Sequence, residues 1–190
     1  MSEAVSGKPK TCKSCRQKFV PTRPLQVACS ISCALELARV AQAKRQAQEA
    51  TNERVQHAKR KEATKTKGQH TKDAQIAFNA FIRERDKDLP CVSCGRHHQG
   101  QYHAGHYRTT AAAPELRFEP LNVWKQCAPC NNHKSGNLIE YRIELVKRIG
   151  AARVEWLEGP HGHKRYTVED LKAIKAEYRA KLRELQAGGA

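Results

Sequence analysis

The chain has 190 residues, enough for one ordinary domain with extensions, and its formal net charge at pH 7 is +16. Such an excess of Lys and Arg indicates a polyanionic partner, and nucleic acid is the usual one. The alternative is a basic charge that serves only solubility. No apolar run approaches the roughly eighteen residues of a membrane helix, and residues 1–10 lack the apolar core of a signal peptide. We therefore expect a cytoplasmic protein with no membrane partner.

Eight cysteines fall into four close pairs, which in a reducing cytoplasm indicate metal ligands and not disulfides. The first two pairs have the spacing of a zinc finger, in which two knuckles complete one tetrahedral thiolate site; redox-active or unoccupied thiols are the alternative. The predicted ligands of this N-terminal zinc are Cys12, Cys15, Cys29 and Cys33. We expect residues 1–33 to form a small finger that needs zinc to fold, because its apolar content is slight.

Residues 34–72 are rich in Ala, Gln, Lys, Arg and Glu and contain no aromatic residue and no proline. This composition predicts a solvated helix that grows out of the finger and ends at a hinge in residues 64–68. The segment carries ten Lys/Arg and four Asp/Glu. We interpret it as a basic helical linker or DNA-binding arm that contacts phosphates without reading bases; a charged spacer is the alternative.

The compact domain is expected to start near Asp73 and to extend to residue 163, because the hydrophobic pattern changes at Asp73. Pro90 is expected to stop the first helix of this domain just before the next cysteine. The apolar positions that recur at helical spacing, and that should be buried, are Ala74, Ala77, Phe78, Phe81 and Ile82.

A second zinc site is predicted from two further knuckles, which are separated by 32 residues and leave room for a hairpin and a loop. Its predicted ligands are Cys91, Cys94, Cys127 and Cys130. Hydrolysis of a phosphodiester needs a base that activates water and a divalent ion that stabilises the developing charge. Thiolates do not suit magnesium, so we expect the cysteines to hold zinc while neighbouring His and Asn residues carry the chemistry.

Polar residues lie between and after these knuckles in the order Gly105-His106, Asn122, and Asn131 with His133. This order resembles that of HNH, or ββα-metal, nucleases, in which zinc staples a hairpin to a helix. A neutral histidine suits the base at physiological pH, and an asparagine at the start of a helix after the last cysteine presents an amide oxygen to an ion. The predicted catalytic residues are His106, Asn122, Asn131 and His133.

The segments FNAFIRERDKDLPCVSCG, AGHYRTTAAAPELRF and KQCAPCNNHKSGNL closely resemble the NinG family of lambdoid phages, also called Rap. The resemblance covers most of the chain and implies a recombination endonuclease with an HNH-type site that acts on Holliday junctions and D-loops. It implies a phage or prophage protein in a bacterial cytoplasm, with phage or host recombination proteins as further partners. The endonuclease VII type of phage resolvase is similar in layout, which implies His106 as base, Asn131 as metal ligand, and Mg or Mn as the catalytic ion.

One position departs from the HNH pattern, because such enzymes usually place Asp or His directly before the base and this chain has Gly105. His103 would share the strand face of position 105, so we expect it to replace that ligand or to act through water. The predicted ligands of the catalytic ion are His103, Asn131 and His133. The resemblance implies that Asn122 ties the hairpin loop through backbone hydrogen bonds, with direct metal ligation as the alternative.

Three basic residues flank these positions and are predicted to grip the scissile strand, namely Arg108, Arg117 and Lys134. As single residues, each is more often a solvated surface charge. The histidines at 97, 98, 161 and 163 fit no ligand pattern, and we interpret them as loop residues. A helix ended by Gly150 and a C-terminal helix in residues 164–190 complete the chain. The apolar stripe of the C-terminal helix packs on the domain or pairs with a second chain, and two symmetric nicks favour a homodimer.

The predicted fold class is α+β: a small zinc-stapled ββα-metal (HNH) domain with flanking helices, preceded by a zinc finger and a long basic helix. We expect a structure-selective endonuclease that nicks branched double-stranded DNA. One alternative is a non-catalytic, zinc-dependent nucleic-acid-binding module, which explains the cysteines but not His106 and Asn131. The other is a sequence-specific HNH nuclease. Residues 1–72 carry a net charge of +11 and residues 73–163 only +2, so we expect the N-terminal extension to supply most of the attraction to DNA.

Overall fold

The computed structural model describes residues 8–188 and shows a mixed α+β chain that divides into two units, residues 1–64 and residues 65–190. The outer ends of the predicted finger and of the predicted C-terminal helix lie outside the described residues, as does most of the stretch on which we based the absence of a signal peptide. Within residues 8–188, no helix is both long enough and apolar enough to cross a membrane.

The first unit consists of a small hairpin followed by one long helix. Strands β1 (Lys10–Thr11) and β2 (Lys18–Phe19) pair antiparallel, and α1 spans Ile31–Ala63. Ser30 caps α1 by accepting a hydrogen bond from the Cys33 backbone N–H. None of the residues of α1 is buried. The solvated helix predicted from composition is therefore present, and it ends at Ala63, directly before the hinge expected in residues 64–68.

The second unit begins with helix α2 (Lys67–Arg85), which starts six residues before the boundary that we placed at Asp73. The start is set by a capping box: the Thr66 side chain accepts from the Gln69 backbone, and the Gln69 side chain accepts from the Thr66 backbone. Hydrophobic periodicity does not reveal such a polar start. The predicted apolar stripe is buried at Ala74, Ala77, Phe78 and Ile82.

Helix α5 (Val168–Gly188) packs against α2 inside the second unit. The rings of Phe78 and Tyr178 meet edge to face with their centroids 4.7 Å apart. Thr167 and Asp170 form the N-terminal cap of α5, in which each side chain accepts a hydrogen bond from the backbone N–H of the other. The apolar stripe of the C-terminal helix is therefore directed at α2.

A two-stranded antiparallel hairpin lies at the centre of the second unit. Its strands are β3 (Tyr102–His106) and β4 (Val123–Cys127), and the register places Gly105 opposite Trp124 and His106 opposite Val123. Val123 belongs to the apolar cluster of α2 and α5, whereas Trp124 packs against a second cluster that includes residues of α3 and α4. The hairpin is thus held between two small cores.

Helices α3 (Leu138–Ile149) and α4 (Ala151–Glu158) form the second core and meet at Gly150, which has φ +85° and ends α3 as predicted. The prediction of an α-helix directly after Cys130 is wrong. Pro129–His133 form a single π turn, and α3 begins only at Leu138. The backbone is left-handed at Ser135, Gly136 and Asn137, with φ of 47°, 86° and 47°. A right-handed helix cannot run through these residues.

Candidate functional site

The N-terminal cysteines form a compact thiol cluster. The sulfur atoms of its members lie within 4.8 Å of one another, at Cys12, Cys15, Cys29 and Cys33. The Cys29 backbone N–H donates to Cys12 Sγ over 3.4 Å. Burial raises the pKa of the Cys12 thiol, but the backbone N–H groups around it outweigh this effect and lower that pKa to about 6. The cluster could hold zinc, as its spacing predicts, since thiolates are the form that binds the metal.

A second thiol cluster joins the first knuckle of the second unit to the end of β4, and it too could hold zinc. Its members lie within 4.8 Å of one another, at Cys91, Cys94, Cys127 and Cys130. The Cys127 backbone N–H donates to Cys91 Sγ over 3.3 Å. His98, which we interpreted as a loop residue, places Nε2 3.1 Å from Cys94 Sγ. The sequence carried only a weak signal for this contact, namely the proximity of His98 to a cysteine.

His106 and Asn131 line one open cleft of about 320 Å³, so the structure brings together two of the four predicted catalytic residues. The other lining residues are Ala104, Thr109, Thr110, Ser135, Gly136 and Leu138. His133 is exposed and is absent from this lining. Lys134 lines a different cleft, beside the second thiol cluster, together with Arg96 and His98.

The imidazole of His106 is oriented by a backbone carbonyl. Its Nε2 lies 2.9 Å from the carbonyl oxygen of Arg117. A carbonyl oxygen only accepts hydrogen bonds, so Nε2 must carry a proton, and in the neutral ring Nδ1 keeps a lone pair. Burial lowers the pKa of His106, and the Arg117 guanidinium lowers it further, against the opposing effect of the carbonyl hydrogen bond. The lowered pKa favours the neutral form of the ring, which can accept a proton.

Asn122 does not line the cleft but fastens the loop between the two strands. Its Oδ1 accepts from the Arg108 backbone N–H over 2.8 Å, and its Nδ2 donates to the carbonyls of Arg108 and Leu116. The side chain is fully buried. This arrangement is the loop-tying one that the resemblance implies, and it leaves the amide facing backbone groups and not the cleft.

His103 lies opposite Gln126 on the hairpin, and strand alternation places it on the other face from His106. The structure therefore does not bring His103 to the cleft. The space beside Gly105 is also filled, because a Cβ at that position would lie 2.1 Å from Gln126 Oε1. Gln126 is itself buried, and its Nε2 donates to Ser93 Oγ over 2.6 Å. Sequence reasoning missed Gln126.

The predicted DNA contacts divide into two kinds. Arg108 and Arg117 are half-buried and have protein partners, since their Nη1 atoms donate to the Glu158 carbonyl over 3.1 Å and to Gln75 Oε1 over 3.3 Å. Lys134 is exposed. The two arginines thus brace the loop that follows His106, and a further contact with DNA would compete with these hydrogen bonds.

The cleft offers a divalent cation few ligands of its own. Asn131 supplies an amide oxygen, and the other oxygen donors among the lining side chains are hydroxyls, with no carboxylate. Magnesium is usually held by one or two carboxylates together with water and substrate phosphates. The lining residues therefore fit Mg or Mn only in part. The other coordination positions of the ion would have to be filled by phosphate oxygens and water.

The fold and site define a mixed α+β protein with two separate tetracysteine centres, each suited to zinc, and a neutral histidine beside an asparagine in an open cleft. The family model described as "Bacteriophage Lambda NinG protein" matches residues 5–187, and the chain therefore belongs to the NinG family.

Three phage proteins illustrate how similar this chain is to its relatives. It is 58% identical over 127 residues to "Protein ninG" of Escherichia phage lambda, 58% identical to that of Salmonella phage P22, and 57% identical to that of Escherichia phage 933W. Each alignment covers 67% of this chain and 62–63% of the relative, so the chain spans less than two thirds of their length. No solved structure matches.

Proposed function

We propose that this NinG family protein is a metal-dependent endonuclease that nicks branched recombination intermediates such as Holliday junctions and D-loops. The observation that carries the proposal is the hydrogen bond from His106 Nε2 to the Arg117 carbonyl, which leaves Nδ1 as a proton acceptor. Asn131 lines the same cleft. A neutral, oriented imidazole beside a polar donor is the arrangement that water activation requires.

The chain's own residues have separate roles in this reaction. His106 Nδ1 accepts a proton from the water that attacks the phosphate. The Arg117 carbonyl holds the ring, and Asn122 holds the loop that carries Arg108. Magnesium or manganese, bound through Asn131 Oδ1 together with phosphate oxygens and water, would stabilise the charge on the phosphate and on the leaving oxygen.

The positive charge of both units supports DNA as the substrate, and the resemblance to recombination endonucleases supports branched DNA. Residues 1–64 contain thirteen Lys/Arg and five Asp/Glu, and residues 65–190 contain twenty-two and fourteen, so each unit carries a net charge of +8. Phosphate contacts of this kind supply affinity without base reading, which leaves selection to the shape of the DNA. Two symmetric nicks would require two copies of the cleft, and we therefore include a homodimer in the proposal.

A nicking assay tests the proposal and separates it from its alternatives. The zinc-loaded full chain is incubated with a four-way junction, a D-loop and a linear duplex of the same sequence, with magnesium, with manganese, or without either ion. We expect nicks in the branched substrates only when the divalent ion is present. Binding without nicks under every condition would favour a binding module, and cleavage of the linear duplex at a fixed sequence would favour a sequence-specific nuclease.

A further inference from the structure

The loop between α4 and α5, residues 159–167, is a basic element, and none of its residues lines the His106 cleft. Its sequence GPHGHKRYT contains Lys164, Arg165 and two histidines, and no Asp or Glu. His163, Lys164 and Arg165 are consecutive and all exposed. Because this charge lies on the second unit, it is available to DNA independently of the N-terminal finger.

Both ends of the loop are attached to the segment that forms one wall of the His106 cleft. At its start, the Glu158 carbonyl accepts a hydrogen bond from Arg108 Nη1 over 3.1 Å. Near its end, the Tyr166 hydroxyl donates to the Glu115 carbonyl over 2.9 Å, and the Tyr166 ring packs edge-on against Phe118. The segment between these anchors, residues 108–118, includes Thr109 and Thr110 of the cleft and the carbonyl that holds His106.

The loop is also fixed internally. The ring of His161 stands edge-on to Trp156 with centroids 4.7 Å apart, and Lys164 Nζ lies 5.0 Å from the centroid of the Tyr166 ring. A loop with such contacts presents its charges in a restricted set of positions, which reduces the entropy lost when they bind a ligand.

The carboxylates at the two ends of the loop form no ion pair with its cations among the described residues, although Asp170, whose pKa is lowered by hydrogen bonds from Thr167 and by the charge of Lys164, offsets part of that charge. Glu158 is paired with Arg142, whose Nε lies 2.7 Å from Glu158 Oε1. Asp170 accepts the Thr167 backbone N–H over 2.8 Å. Glu115 is half-buried, and Glu169 is exposed at the first turn of α5. Lys164 and Arg165 themselves have no carboxylate within ion-pair distance among the described residues.

Resting on the proposed function, we propose that the 159–167 loop binds the phosphate backbone of the DNA strand that enters the His106 cleft, with Lys164 and Arg165 as the contacting residues. Arginine matches a phosphate through two parallel N–H donors, and lysine contributes a mobile point charge. Such contacts position a strand without reading its sequence, as shape-selective recognition requires.

The test compares two double variants of the full chain that lose the same charge. In Lys164→Gln/Arg165→Gln the loop cations are removed, and in Lys172→Gln/Arg179→Gln two exposed cations of α5 are removed. Binding to a four-way junction is measured at several salt concentrations in magnesium-free buffer without chelator, so that zinc is retained. We expect the slope of log affinity against log salt to fall by about 2 for the loop variant and by less than about 1 for the α5 variant.

A third variant, Lys164→Arg/Arg165→Lys, preserves the charge and should restore most of the slope, and melting temperatures confirm that each variant is folded. An unchanged slope in the folded loop variant, or an equal loss in the α5 variant, would overturn the proposal. If the slope falls as expected but the wild-type chain nicks no DNA, the loop assignment stands and the nuclease assignment fails. If the chain nicks junctions and the slope does not change, the reverse holds.

Discussion

Gln126 occupies the space into which a side chain at position 105 would project: a Cβ on Gly105 would lie 2.1 Å from Gln126 Oε1 and 3.0 Å from Gln126 Cβ. The Gln126 amide Nε2 donates to Ser93 Oγ over 2.6 Å and to the Gly136 carbonyl over 2.5 Å. This buried side chain therefore links the first knuckle of the second thiol cluster to the turn that lines the His106 cleft. The Gln126 side chain leaves no room for a side chain at position 105, so glycine is the residue that fits there.

Substitutions at these two positions should therefore be coupled. We expect Gly105→Ala to lower the free energy of unfolding by about 1–3 kcal/mol, because the added methyl group overpacks against Gln126. Gln126→Ala should also destabilise the chain, but the double variant should lose less than the sum of both effects, with a coupling energy of about 0.5–3 kcal/mol. Urea denaturation measures all three variants.

A matched control for this cycle is Gly162→Ala, where a Cβ would meet no atom within 4 Å. We expect a change close to zero at that position. Strictly additive effects of Gly105→Ala and Gln126→Ala would show that the two side chains do not compete for the same space.

The two thiol clusters should stabilise the two units separately, because each cluster lies wholly within one unit. We expect Cys127→Ser to lose one zinc and to unfold residues 65–190, since a tetrathiolate site contributes directly to the free energy of folding. Cys15→Ser should lose the other zinc and leave the melting of the second unit unchanged. Zinc content and limited proteolysis report both outcomes, and a well-folded second unit in Cys127→Ser would contradict this account.

The sequence revealed those parts of the molecule that depend on local spacing. Short cysteine pairs placed both thiol clusters, and the helical repeat from Ala74 to Ile82 identified the buried face of α2. It did not reveal the Gln126 network, whose partners lie 33 and 10 residues away, or the carbonyl that holds His106, which lies 11 residues away. Such contacts depend on how the loops pack, and no periodic pattern records them.

Asp73 should make the second unit sensitive to acid. Lys175 and Lys65 hydrogen-bond its carboxylate and lower its pKa to about 2 from the usual value near 3.8. A depressed carboxylate pKa stabilises the fold above the unfolded-state pKa, and that contribution is lost as the pH falls from about 4 towards 2. We therefore expect Asp73→Asn to be less stable than wild type at pH 7, with the difference shrinking over that interval.

Thermal unfolding between pH 7 and pH 2 checks this prediction, with Asp88→Asn as an exposed control. A stability difference between Asp73→Asn and wild type that is independent of pH would mean that the ion pairs with Lys65 and Lys175 contribute nothing to the fold.

Removing the first unit should weaken DNA binding without removing the cleft. The fragment should begin at Lys65, because Lys65 pairs with Asp73 over 2.6 Å and Thr66 caps α2. We expect residues 65–190 to nick junctions at high protein concentration and low salt, and to bind them with a flatter dependence of log affinity on log salt. Since this fragment keeps a net charge of +8, the slope should not vanish. A slope equal to that of the full chain would exclude the first unit from phosphate contact.

The most direct test of the account is the nicking rate of His106→Ala on a four-way junction with magnesium, measured at saturating protein beside His97→Ala as an exposed histidine control. Loss of the base should lower the rate by roughly 10²–10⁴-fold, while junction affinity, zinc content and melting temperature stay near those of wild type. His97→Ala should nick at the wild-type rate. A folded His106→Ala protein that nicks junctions as fast as wild type would contradict the assignment of His106 as the base.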